Sequence, residues 1–284
     1  MKQLDRIYIE ISNICNLQCT FCPVVERDKQ VMSLSDFKKT INDAAPLAKQ
    51  VCLHLMGEPL AHPEFEKIIE YCHMLDVQVQ ITTNGLLAKK YKDLLCSKNI
   101  RQINFSVQSY KDNFPERPIE DYMRSLLEFC DHLHSSNPNT YINFRLWNLG
   151  DRSFENENVI SYLERYYNVQ INRNVDVGFK KSKKVVEKIY LHFDSRFEWP
   201  SFDLPFQSES GRCHGVVGHV GIHADGKVVP CCLDKEANIV LGNIFENSLS
   251  DILNSKRATA MRNGFNAGIR VEKFCQHCSF ANRF

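Results

Sequence analysis

The sequence predicts an α/β protein, an open or partial barrel of parallel strands followed by a smaller, cysteine-bearing tail. Three observations lead there. Short apolar runs alternate with amphipathic segments through the first 150 residues, a pattern that implies parallel strands joined by right-handed helical crossovers. A polar, glycine-bearing or cysteine-bearing segment follows each predicted strand, which would gather these segments on the rim where such barrels carry their sites. Beyond residue 212 the pattern changes to a hairpin flanked by cysteines.

Ile7–Ile11 reads as the first strand and leads into Cys15, Cys19 and Cys22. Ser33 and Asp36 have the spacing of a capping box, and Phe37, Ile41 and Ala44 continue at helical spacing. Val51–Leu55 is a second strand, running into Met56-Gly57-Glu58-Pro59. Pro63 suits the first turn of a helix with Phe65, Ile68, Ile69 and Cys72 on its inner face. Val77–Ile81 alternates as a third strand and runs into Thr82, Thr83, Asn84 and Gly85. Leu86, Leu87, Tyr91, Leu94 and Leu95 mark the next helix.

Ile103–Phe105 lies in a fourth strand before Ser106 and Gln108, and Tyr122, Leu126, Leu127 and Cys130 define a fourth helix. Tyr141–Phe144 is a fifth strand before Arg145 and Trp147, and Val159, Ile160 and Leu163 begin a fifth helix. The sixth strand is either Val169–Ile171 or Ile189–Leu191. Residues 194–212, rich in Pro, Ser and Phe, read as a connection. Val216–Ile222 and Lys227–Val229 form a hairpin about Asp225-Gly226, and Ser248–Leu253 starts a short helix.

At 284 residues the chain suits one large domain, or one with a small appendage. Its hydrophobic content of 43% allows a real core. A net charge of +1 with scattered Lys and Arg demands no polyanionic partner, so nucleic acid is disfavoured. No apolar stretch is long enough to span a bilayer, and the first residues form no secretory h-region. Twelve cysteines without an export signal read as metal ligands or core thiols of a cytoplasmic protein.

Cys15, Cys19 and Cys22 have the spacing C-x3-C-x2-C. Three thiolates can hold three corners of an iron–sulfur cube and leave one iron open. Zinc competes for such ligands, although structural zinc sites usually take four. A cluster of merely packed thiols is the third possibility.

Together with Gly57-Glu58-Pro59, Thr83-Asn84-Gly85 and Ser106-Val-Gln108, this loop resembles that of the radical S-adenosylmethionine (radical SAM) superfamily over about residues 5–190. Met56 stands where that family more usually has a first glycine. The tail resembles its twitch domain, a shortened SPASM domain, through Cys213, Gly226, Cys231, Leu241–Ile244, Ser248–Ile252 and Cys275-x2-Cys278. The resemblance implies a partial (βα)6 TIM-like barrel over 1–205 and an auxiliary iron–sulfur domain of hairpin and helix over 206–284. It implies two 4Fe–4S clusters, one on Cys15, Cys19 and Cys22 and one on Cys213, Cys231, Cys275 and Cys278.

It further implies reductive cleavage of S-adenosylmethionine to a 5′-deoxyadenosyl radical, fed by a reducing partner such as flavodoxin or ferredoxin. The backbone of Phe21 would meet the adenine, Gly57 and Glu58 the methionyl amino group, Ser106 the ribose and Arg145 the carboxylate. Thr83 and Asn84 belong to the same rim. Cys52, Cys72, Cys96 and Cys130 read as packing thiols, Cys232 as a bystander or an exchange ligand with Cys231, and His54, His192, His219 and His223 as structural residues before proton acceptors.

On substrate, many peptide-modifying relatives carry a leader-binding domain ahead of the first cluster, and the 14 residues before Cys15 make a peptide the less expected substrate. The single auxiliary cluster fits oxidation of a small sugar or cyclitol, as in 2-deoxy-scyllo-inosamine dehydrogenase. A peptide is the alternative, and RNA modification a third. Outside enzymology, an iron–sulfur electron carrier or a zinc-stabilised binding module would use the same cysteines without the cofactor.

Overall fold

A computed structural model describes residues 3–150, 155–176, 178 and 180–284. In chain order the strands are β1 Arg6–Ile9, β2 Val51–Cys52, β3 Val79–Thr83, β4 Ile100–Ser106, β5 Tyr141–Leu149, β6 Ser182–Val186, β7 Ile189–Ser195, β8 His219–Ile222, β9 Lys227–Val229 and β10 Gly242–Asn243. The α-helices are α1 Leu34–Ala44, α2 Phe65–Met74, α3 Gln108–Asn113, α4 Glu120–Ser136, α5 Asn156–Tyr167, α6 Leu249–Leu253, α7 Lys256–Ala267 and α8 Lys273–Gln276. No helix among the described residues is long and apolar enough to cross a membrane.

The chain divides into two compact units. The first comprises Met1–Cys15, Pro23–Gln78 and Phe197–Phe284. Its strands run in the order β10-β9-β8-β1-β2. β1 is parallel to both neighbours, pairing Tyr8 with Cys52 of β2 and with Gly221 of β8. β8 and β9 form the expected antiparallel hairpin. α1 starts where the capping residues place it, Ser33 accepting the Asp36 N–H at 3.1 Å, and buries Phe37, Ile41 and Ala44. α6 repeats the device with Ser248 and Asp251.

The second unit comprises Asn16–Cys22 and Val79–Arg196. Its order is β3-β4-β5-β7-β6, with β3, β4, β5 and β7 parallel and β6 antiparallel to β7. Strand alternation divides its residues between two faces. Ile81, Ile103, Phe105, Ile142, Phe144, Leu191 and Phe193 are buried on one. There Phe105 stacks on Phe144 and meets Phe129 of α4 edge-on. The other face is polar: Asn104 Oδ1 accepts from Asn143 at 3.0 Å and Gln102 at 2.7 Å, and its amide donates to Thr82 at 3.2 Å.

Several boundaries differ from the sequence reading. The predicted helix over 86–95 is instead two 3-10 turns, Ala88–Tyr91 and Leu94–Cys96. Thr83 Oγ1 and Asn84 Oδ1 take the N–H groups of Gly85 and Leu86, and Ala88 N–H donates to the Gly85 carbonyl, so local bonds displace the helical ladder. β2 stops at Cys52 because pairing with β1 ends there. β3 lies two residues later than predicted. β5 continues through Arg145 and Trp147, which therefore stand within the strand and not in a loop after it. The sixth parallel strand is the one containing Ile189–Leu191, and Val169–Ile171 is irregular. Pro63 precedes α2 by two residues.

Candidate cofactor and iron–sulfur site

In the first unit the segment ahead of Cys15 is held by its own polar side chains. Asn13 donates to the Asp28 carbonyl at 2.8 Å and accepts the Gln30 N–H at 2.8 Å. Ser12 donates to the Gln30 carbonyl. The base of the loop carrying the first cysteines is thereby closed, and Cys15 itself is exposed.

Gly57 lies against this base. Its φ of +76° suits glycine, and a Cβ there would stand 2.3 Å from the Ser12 carbonyl oxygen and 2.9 Å from that of Ile14. The next residue donates its N–H to the Ile14 carbonyl at 3.0 Å. The buried Glu58 carboxylate accepts the Leu60 N–H, capping the 3-10 turn at Pro59–Ala61.

Below lies an ion pair that the sequence reading did not find. Glu10 is fully buried, and Arg27 meets it with two nitrogens, at 3.1 and 2.9 Å. The same carboxylate accepts the N–H groups of Met56 and Ala224, both at 3.3 Å. Glu236 accepts the N–H groups of Glu26 and Arg27.

Cys213, Cys231, Cys275 and Cys278 come together in this unit. Burial, then the Cys213 thiol, then Cys278, push the Cys275 thiol up. Burial, then Cys232, Cys213 and Cys275, hold Cys231 well above the ordinary thiol range. Cys278 is pushed up by burial and by Cys213, and Cys213 by burial. Four interacting half-buried thiols are unfavourable as bare thiolates and favourable around a multiply charged metal group, so the donor set fits an iron–sulfur cluster. Among the described residues no three His, Cys, Asp or Glu side chains are grouped to hold a single metal ion. A four-iron cube spreads its thiolates wider than a single ion does.

In the second unit, Cys19 is half-buried and Cys22 exposed, and the Cys22 N–H donates to the Cys19 carbonyl at 3.1 Å. Hydrogen bonds from Cys22 and then Asn113 hold the Cys19 thiol below its ordinary range. Asn113 also accepts the Gln18 N–H at 2.8 Å, and Asp112 accepts both N–H and hydroxyl of Thr20. Asp112 and Asn113 were not singled out in the sequence. Their only signal is position, since α3 follows the Ser106–Gln108 rim segment.

Asn84 donates to Asn16 at 2.7 Å, joining the third rim segment to the cysteine loop. Phe21 is half-buried in the same loop. Parallel register puts Thr83 beside Phe105, Ser106 beside Arg145, and Arg145 beside His192. Arg145 lies 4.5 Å from the centre of the Trp147 ring, whose Nε1–H donates to His192 Nδ1 at 2.9 Å. Burial and the Arg145 charge bring the His192 imidazole down to about 4.

The remaining cysteines and histidines have structural surroundings. Cys72 and Cys130 are buried in helices, burial pushing the Cys72 thiol up to about 12. Cys52 is buried in β2, and Cys96 bonds the Lys92 carbonyl. His54 and His219 each pack edge-on to Tyr8, and His223 Nε2 bonds the Asp234 carbonyl. Cys232 packs with Val25, Trp199 and Ala237 against Leu55, Met56 and Val229.

The family model of the Radical SAM superfamily matches residues 9–151, and that of the SPASM iron–sulfur cluster-binding domain matches 213–279. Among curated proteins, the GTP 3′,8-cyclase of Alkaliphilus oremlandii is 26% identical over 115 residues, covering 38% of this chain and 36% of the relative. That of Staphylococcus epidermidis is 25% identical over 191 residues, covering 63% and 54%. The chain thus spans well under two thirds of either relative.

Among solved structures, BtrN in complex with AdoMet and 2-DOIA has a TM-score of 0.56 at 17% identity, covering 98% of this chain and 94% of its own. Streptococcus suis SuiB bound to precursor peptide SuiA has a TM-score of 0.64 at 18% identity, covering 99% and 73%. These likenesses show the fold: α/β, with a mixed sheet and the tail folded as an iron–sulfur domain.

Proposed function

Since the chain belongs to the radical SAM superfamily and carries a SPASM iron–sulfur domain, we propose that it oxidises a small sugar- or cyclitol-type molecule by hydrogen-atom abstraction. It is a radical SAM enzyme, and its cofactors are S-adenosylmethionine and 4Fe–4S clusters. When bound, these supply a 5′-deoxyadenosyl radical. The residue assignments, the division at residue 205/206, a flavodoxin or ferredoxin as reductant, and a cytoplasmic location belong to the proposal.

In this reading Cys15, Cys19 and Cys22 hold the cluster with the open iron. Gly57 and Glu58 face the methionyl amino group, and Phe21, Thr83, Asn84, Ser106 and Arg145 line the cofactor. The closeness of Cys213, Cys231, Cys275 and Cys278 carries the oxidative reading. Four thiolates complete a cluster's ligation, which suits it to accept an electron and leaves no iron for substrate. The amide and hydroxyl face of Thr82, Gln102, Asn104 and Asn143 suits hydroxyl groups without demanding charge.

The test joins iron content to product. Reconstituted protein should hold about eight irons, and a Cys15→Ala, Cys19→Ala, Cys22→Ala variant about four. Reduced wild type should release 5′-deoxyadenosine and oxidise an aminocyclitol. Cys275→Ala with Cys278→Ala should spare cofactor cleavage and lose oxidised product. Oxidation at the wild-type rate without the tail cluster contradicts the reading. The SuiB likeness, over 99% of this chain, supports a peptide as the second reading. Turnover of a precursor peptide and of no cyclitol would select it.

A further inference from the structure

Arg270 is 2% exposed, and its guanidinium is not fully paired. Nη2 donates to Asn282 Oδ1 at 2.8 Å. Nε and Nη1 are buried and have no hydrogen-bond partner among the described residues. A buried cation left with free donors is costly, and folded proteins rarely keep one without a partner that offsets it.

The surroundings are built to admit this group. A Cβ on Gly211 would stand 2.6 Å from Nη2 and 2.7 Å from Nε. The glycine leaves the space the guanidinium fills. Backbone bonds hold both segments in place: Arg270 N–H donates to Glu209 at 2.7 Å, Gly211 N–H donates to Gly268 at 2.7 Å, and Gln276 donates to the Arg270 carbonyl. Gly211 stands two residues before Cys213, and Gln276 lies between Cys275 and Cys278, so the guanidinium sits against the segments that carry these thiols.

We propose that Arg270 is a positioning residue for the tail cluster, supplying buried N–H donors and a positive charge that raise its reduction potential. The inference rests on the assignment of Cys213, Cys231, Cys275 and Cys278 as ligands of that cluster. Uptake of one electron adds one negative charge to a group already carrying four thiolates. A guanidinium beside it stabilises the reduced form more than the oxidised form, and hydrogen bonds to sulfur act the same way.

The experiment is a potentiometric titration followed by electron paramagnetic resonance in the Cys15→Ala, Cys19→Ala, Cys22→Ala background, where only the tail cluster reports. Arg270→Met removes charge and donors but keeps the stem. Its midpoint should be more negative than the parent's at equal iron content. Arg270→Lys keeps charge without the planar fork and should fall between. Gly211→Ala displaces the guanidinium and should also shift the midpoint negative. Arg270→Met with full iron and an unchanged or more positive midpoint overturns the proposal. If Arg270→Met cannot hold the cluster, unchanged midpoints in both other variants overturn it. A parent without iron sinks the ligand assignment, and this inference with it, before any titration begins. Full iron with an unmoved midpoint sinks the inference alone.

Discussion

Gly57→Ala should damage the cofactor site and the fold together, and the two parts of the cost can be separated. The first part is conformational. At φ +76° an alanine is held in the left-handed region, at roughly 1–2 kcal/mol. The second part is steric. The new Cβ would stand 2.3 Å from the Ser12 carbonyl oxygen and 2.9 Å from the Asn13 carbonyl carbon. Both are backbone atoms, so no side chain can swing away, and overpacking of this kind costs typically about 1–3 kcal/mol.

Gly268→Ala is the control. Its φ is +78°, and nothing lies within 4 Å of a Cβ built there, so it carries the first cost alone. Thermal unfolding of anaerobically reconstituted protein should show Gly57→Ala lower than Gly268→Ala by roughly 2–12 °C, taking about 2–4 °C per kcal/mol. Relief of the clash must move the backbone two to three residues ahead of Cys15. Release of 5′-deoxyadenosine should therefore fall at least about tenfold in Gly57→Ala, the equivalent of a 1.4 kcal/mol rise in barrier, and stay near wild type in Gly268→Ala. Equal midpoints and equal cofactor cleavage in the two variants would refute the reasoning.

Two further outcomes follow from buried charge. Arg27→Met should destabilise by about 3–5 kcal/mol in urea unfolding, because it strands the fully buried Glu10 carboxylate; a loss below about 1 kcal/mol counts against the clamp. His192 and His219 both stand near 4, against 6.5 unfolded, chiefly through burial. The unfolded chain therefore binds more protons between those values, and stability should fall as pH drops from about 6.5 toward 4. His192→Gln with His219→Gln should flatten that slope, and an unchanged slope would show that other groups set it.

What could be read from the sequence was what is local along the chain. The cysteine spacings, Gly57-Glu58 and the Ser33 and Ser248 caps each lie within a few residues. The polar face of Thr82, Asn104 and Asn143 follows from alternation once the strands are known. The 86–95 segment misled because two 3-10 turns bury Tyr91 and Leu95 as well as a helix would. Asp112 and Asn113 meet the cysteine loop only through tertiary packing, as Glu10 meets Arg27 and Ala224. No short-range pattern marks such partners, since each is an ordinary polar residue whose role begins when distant segments meet.

The position of β1 has a consequence for how the protein is made. One edge of β1 pairs with β2, which leaves the ribosome soon afterwards. The other pairs with β8, including Tyr8 with Gly221, which emerges only after most of the chain. Until then that edge is an unsatisfied template for wrong pairing. The long closure adds little to the equilibrium cost, because loop entropy grows slowly with length. It delays completion of the first unit, since distant pairings form late. Removing the tail would thus uncover the strand that leads into the cysteine loop, beyond deleting an auxiliary domain.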